Sequence, residues 1–314
     1  MKKISIIFTG LFLVLGMGTC FASSANNQVF SVDNAKGEIN AKSIEKAFNE
    51  NGMHVDVNND MNSIFEKRYK KVHHKAYNLA IFSNHKSVAK LMKKYPSIGR
   101  ITPLSMSIYA DDKNMINVST LSLKGMARIA QIPENNPDLI AYAKMLDVAL
   151  HKALPNGKYL VKESNVKATD KKLTSDFTME LELEDDMTYI DAKESFEEEF
   201  ESEIGPVGFL VPKKYNLQED VMKANGDNDY EFYDTYSIIR FNVIFPVSKN
   251  HPDAGSYAPF SLAMYKKKGE DVMHISFPSI DNWINDLSIT DKEVIAEVQK
   301  THKMVVDILS ELTE

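Results

Sequence analysis

"PSIGRITPLSMSIY" (Pro96–Tyr109) and "PDAGSYAPFSLAMY" (Pro252–Tyr265) are two versions of one phrase, 156 residues apart. The match keeps Gly99/Gly255, Pro103/Pro259, Ser105/Ser261 and Tyr109/Tyr265, and continues through Ser119/Ser276, Ser122/Ser279 and Ile132/Ile289. Apolar residues alternate in both copies, as Leu104-Met106-Ile108 and Phe260-Leu262-Met264, which is the period of a half-buried strand. Ile116-Val118 and Met273-Ile275 read as the partner strands, reached through the polar turns at 111–114 and 267–270. Each copy closes on an amphipathic helix, Leu139–Leu154 and Lys292–Leu312.

Working upstream, the two copies agree in order more than in letters. Strands are expected at Val29–Val32 and Phe177–Leu183, and helices at Ser43–Asn51 and Tyr189–Glu203. Short strands at His54–Val57 and Gly208–Val211 lead to helices at Met61–Tyr69 and Leu217–Lys223. Strands at Tyr77–Phe82 and Tyr236–Phe245 complete the set. The first copy carries an extra helix over Ser87–Lys94. In the second, Pro246–His251 leaves no room for one, so that helix is expected to be lost. The expected fold is α+β, with two tandem β-α-β-α-β-β-β-α units at 28–155 and 176–314, joined by a linker over 156–175.

At the amino terminus, Lys2 and Lys3 precede an apolar run over Ile4–Leu15, and Cys20-Phe21-Ala22 offers a cleavage site after Ala22. This reads as a signal peptide (1–22) of an exported, periplasmic or secreted bacterial protein, too short in its apolar run to span a membrane. Thr19 makes a poor lipobox, so acylation of Cys20 is not expected. Cleavage after Ala22 removes the single cysteine of the chain, leaving no disulfide. The formal net charge of −7 becomes more negative once Lys2 and Lys3 leave, which argues against nucleic acid as a partner.

The segment Asn78–Thr120 resembles the core of the family called domain of unknown function 302. Phe82-Ser83-Asn84 matches the end of its Phe-x-Asn-Pro strand, with His85 in place of the proline. Thr102-Pro103-Leu104 matches the start of its Leu-Pro-Leu-like strand, and Val118-Ser119 its last strand. The resemblance is strongest over 45–155 and more divergent over 190–312. It implies a compact domain with a curved antiparallel sheet, similar to the TATA-box-binding-protein fold, and a pairing of the two copies as an internal pseudo-dimer. It implies no activity and carries over no catalytic residue.

No other motif carries chemistry. His73 and His74 are adjacent and point apart, and His54, His85 and His274 complete no metal-ligand spacing, so no metal or cofactor is expected. Ser119 and Ser276 lack a nucleophile-elbow context and are read as structural. The acids Glu194, Glu197–Glu199, Glu201 and Glu203 are read as a solvated helix face, and Asp227-Asn228-Asp229 as a turn. Ten basic residues and no acid lie between Lys67 and Arg100, read as a solvated face, with pairing to the acidic helix Tyr189–Glu203 or to an anionic ligand as the alternative.

The expected function is a non-enzymatic binding or interaction module for an unknown small molecule or protein, with no catalytic residues. Tyr95, Arg100, Tyr109, Tyr257 and Tyr265 are the candidate ligand-binding residues. The alternative is a hydrolase-like enzyme with its site between the two domains. An apolar groove would favour binding, a convergent polar cluster catalysis, and no pocket a structural role.

Overall fold

In a computed structural model, residues 25–161, 173–183, 186–280 and 282–314 are described. The expected signal segment and Cys20 lie outside them, as does most of the expected linker.

The chain begins with β1 (Asn27–Asp33), α1 (Ala41–Glu50), β2 (His54–Asp60), α2 (Met61–Tyr69), β3 (Ala76–Ser83) and α3 (His85–Met92). A 3-10 helix at Pro96–Ile101 leads to β4 (Leu104–Ala110), β5 (Met115–Leu121), α4 (Leu123–Ala130), α5 (Pro137–Ala153) and the two-residue β6 (Lys158–Tyr159). These strands form an antiparallel sheet in the order β2-β3-β4-β5-β1-β6. The second stretch holds β7 (Thr174–Glu180), α6 (Tyr189–Ile204), β8 (Phe209–Asn216), β9 (Tyr230–Arg240) and α7 (Phe241–Asn250). After a 3-10 helix at Pro252–Ser256 come β10 (Phe260–Lys267), β11 (Val272–Pro278), α8 (Asn282–Asp286) and α9 (Lys292–Leu312). Its sheet runs β8-β9-β10-β11-β7, the order of β2-β3-β4-β5-β1 again. Mixed helices and two antiparallel sheets make the fold α+β, and the buried side chains of both sheets merge into one cluster.

The two Pro-Gly-Pro segments adopt the same structure: a 3-10 helix, a cis X-Pro bond at Thr102–Pro103 or Ala258–Pro259, then a strand. Helix boundaries follow side-chain caps. Asn40 accepts from the Ser43 amide while Ser43 reaches back to the Asn40 amide, and Asp60, Asn84, Ser122, Asn136, Thr188 and Asp291 cap the helices that follow them.

The expected strand Tyr236–Phe245 is two elements. β9 stops at Arg240, and Phe241–Asn250 is the helix α7, standing where α3 stands after β3. The helix expected to be lost is therefore present. Val243, Ile244 and Val247 are buried at helical spacing, and that burial outweighs the bond lost at the internal Pro246. The helix expected over Leu217–Lys223 is instead a π turn, Gln218–Met222, followed by a 3-10 turn that ends at Gly226 in a left-handed conformation. Two ends of the expected linker are strand: β6 pairs with β1, and Thr174-Ser175 open β7.

Candidate functional site

Each 3-10 helix leaves its own sheet and lies on the other one. Pro96–Ile101 packs on β10 and β11, and Pro252–Ser256 packs on β4 and β5. The bonds are reciprocal. Ser105 Oγ donates to the Pro259 carbonyl, and Ser261 Oγ donates to the Pro103 carbonyl at 3.0 Å. Ser107 and Ser119 donate to the carbonyls of Pro252 and Asp253 at 2.7 and 3.0 Å. Tyr233 Oη bonds the Pro96 carbonyl and accepts from the Gly99 amide.

This junction absorbs several residues singled out above. Arg100 is buried, donating through Nε to Ser276 Oγ at 3.1 Å and through Nη2 to Asp176 at 2.5 Å. Tyr257 is buried and donates to Asp286 at 3.0 Å, and Asn26 donates to the same carboxyl at 2.6 Å. Burial holds the Asp286 carboxyl above its ordinary pKa, against the lowering effect of these donors and of Arg128. Arg100 and Tyr257 share a space of about 20 Å³, enough for roughly one water. Tyr109 and Tyr265 occupy matching places in β4 and β10, each paired across the sheet with a buried tyrosine, Tyr77 or Tyr233. Tyr95 lies apart, its ring beneath Lys94, with Asn136 donating to its hydroxyl at 3.5 Å. The five are not gathered in one cavity.

The alternative pairing of the basic segment with helix α6 is not what joins the two sheets. Lys93 pairs with Asp227 at 3.0 Å, and Arg100 with Asp176. Glu197, read as solvated, is buried between Lys193, one turn before it on α6, and Lys214 of β8, because that face of the helix is turned toward the sheet. Ser119 and Ser276, read as structural, are junction donors and acceptors. Among the described residues no group of three or more His, Cys, Asp or Glu is placed to hold a metal ion, and no helix is long and apolar enough to cross a membrane.

Beside this junction, with Pro259 common to both, the sheets part into a groove of about 240 Å³. One wall is Val57 and Asn59 of β2, Met61 and Ile64 of α2, and Leu79 and Ile81 of β3. The other is Leu210, Val211 and Pro212 of β8, with Ile239, Phe241 and Pro259. Both β2 and β8 are edge strands, and both are bulged, between Val55 and Val57 and between Leu210 and Lys213. A bulge bends its strand and breaks the ladder, and Pro212 has no amide hydrogen to miss there. The bend opens the groove and leaves Leu210 44% exposed at its rim. Helices α2 and α7 clasp one end, where Tyr69 stacks on Phe245 at 4.0 Å and donates to Asn242 at 2.9 Å. Tyr215 of β8 sits near the other edge of these strands. Burial, together with the Asp56 carboxylate of β2, pushes its phenol well above the ordinary range.

Of the groove residues Pro259 alone stood out in the sequence, as part of the repeated segment and not as a ligand contact. Pro212, just after the expected strand Gly208–Val211, is a local sign of an edge or a bulge.

No curated protein matches this chain. The solved structure titled "Crystal structure of uncharacterized conserved protein DUF302 from Bacillus stearothermophilus" aligns with 46% of this chain and 100% of its own. Its identity is 13% and its TM-score 0.36. Residues 34–154 match the family model described as "Domain of unknown function DUF302".

Proposed function

We propose that this protein is an exported binding module whose groove between the two sheets takes the apolar part of a small molecule. The carrying observation is the lining: of its residues Asn59 alone has a polar side chain, which favours binding over the hydrolase-like alternative. On this reading the chain is a tandem duplication, with units at 28–155 and 176–314 joined through 156–175. The units pair as an internal pseudo-dimer of TATA-box-binding-protein-like domains. The repeated strand order and the reciprocal serine bonds support the pairing. Export rests on the amino-terminal sequence.

The test is titration of the full chain with decanol, read by calorimetry. Val57→Trp and Val211→Trp each place an indole in the groove from a half-buried position and should reduce binding at least tenfold with the thermal midpoint preserved. Undiminished binding in both variants would place the ligand elsewhere and end this reading.

A further inference from the structure

The groove has a charged mouth. Arg68 is exposed on α2, one helical turn beyond the groove residue Ile64, so both lie on one face of the helix. Its guanidinium carbon stands 5.7 Å from the ring centroid of Phe241, itself a groove residue. Lys67, Lys70 and Lys71 surround it in sequence, and among the described residues no carboxylate forms an ion pair with any of the four. Elsewhere in this basic segment, Lys93 and Arg100 do have acids. A guanidinium held against an aromatic wall, without a counter-ion, is a ready fork for a planar anion.

We infer that the occupant is a free single-chain anionic amphiphile, its tail along the apolar walls and its carboxylate on Arg68. The inference rests on the groove being a ligand site. Size sets the tail. A dry cavity of about 150 Å³ accommodates benzene, so by proportion this groove takes roughly ten carbon atoms. One end of such a tail is at the rim, where the head group meets Arg68 and keeps its contact with water. The head is thus spared the cost of burying an unpaired charge.

Decanoate and decanol separate the head group from the tail. At low salt decanoate should bind the full chain about threefold to tenfold more tightly than decanol, the range for a partly exposed charge-assisted contact. Arg68→Gln should bring the ratio to near one without weakening decanol, and Arg68→Lys should keep part of it. Added salt should shrink it as well. Equal affinities in the wild type, or a ratio untouched by Arg68→Gln, would overturn the inference while decanol binding leaves the groove reading in place. Failure of both probes to bind would end both. Capture of the chain by phosphatidylglycerol vesicles with no binding of monomeric decanoate would also overturn it, assigning the basic mouth to a membrane surface.

Discussion

Ser105 and Ser261 hold each other's sheet: each donates its hydroxyl to the carbonyl of the proline that opens the opposite strand, Pro259 and Pro103. On the proposed duplication, such reciprocity would be that of an isologous contact, with both patches on one chain. The contact is buried, so each hydroxyl requires its partner, and shifting the sheets would strand both at once.

The glycines of the repeated segment are fixed by this approach, not by backbone conformation. A Cβ at Gly99 would collide with Tyr233 Oη and Ala263, and one at Gly255 with the Cβ and amide nitrogen of Ser107 and with Leu79. Tyr233 and Ser107 are fully buried and have nowhere to go. Gly99→Ala and Gly255→Ala should each destabilise the protein by about 1–3 kcal/mol, seen as a drop of several degrees in the thermal midpoint. Gly205→Ala, whose added carbon would meet only the Glu201 carbonyl at 3.4 Å, serves as the control. Equal midpoints for all three would remove the close approach as the reason for these glycines.

Acidification should loosen the contact between the α2–β3 loop and α7. The His73 ring packs on Phe245 at 4.5 Å, and burial, with His74, Lys71 and Lys249 nearby, holds its imidazole below the usual 6.5. A lowered histidine is stabilising above pH 6.5, where neither state binds the proton. As pH falls from 6.5 through the folded pKa, the unfolded chain takes up a proton first and that stability is lost. His73→Gln should therefore flatten the fall in thermal midpoint between about pH 7.5 and 5.5. Asp234 and Asp286, whose carboxyls are held above 3.8, act with the opposite sign, so the difference between variant and wild type is the quantity to measure. Parallel curves would show that His73 does not carry the effect.

The paired segments were legible because a side chain at Gly99 or Gly255 would collide with the opposite sheet, so both places show the same residue. Helix α7 was not, since its start lacks the capping signal found before α3. Asn84 accepts from the Ser87 amide, whereas the corresponding Arg240 makes no cap and is spent on Glu297 and Thr301 of α9. The apolar run on both sides then reads as one strand. The groove was hidden for another reason: its walls come from residues between Val57 and Pro259, joined only by the docking of the sheets. Arg100 and Tyr257, chosen as ligand contacts, proved to be held by Asp176 and Asp286, because sequence shows a polar side chain but not the partner that occupies it.

The polar cluster beneath the first helix of each sheet gives the sharpest energetic test of the correspondence. In the first sheet Asn58 donates to Glu45 at 2.9 Å and accepts from Asn78 at 3.0 Å. At the same places in the second stand Lys214, Glu197 and Asp234, with Lys193 added from α6 and lying 2.7 Å from Asp234. The amide version leaves a single carboxylate, whereas the charged version must balance four buried or half-buried groups. Removing one partner of a buried pair strands the other, so Lys193→Ala should cost about 3–5 kcal/mol by urea denaturation. Replacing the set by the first sheet's residues (Lys193→Ala, Lys214→Asn and Asp234→Asn together) removes the stranded charge and keeps the bond to Glu197. That triple variant should recover most of the loss, to within about 1–2 kcal/mol of the wild type. Glu198→Ala, on the exposed side of α6, should change stability by less than about 0.5 kcal/mol. A triple variant no more stable than Lys193→Ala would mean that the two clusters share a position but not an energetic design.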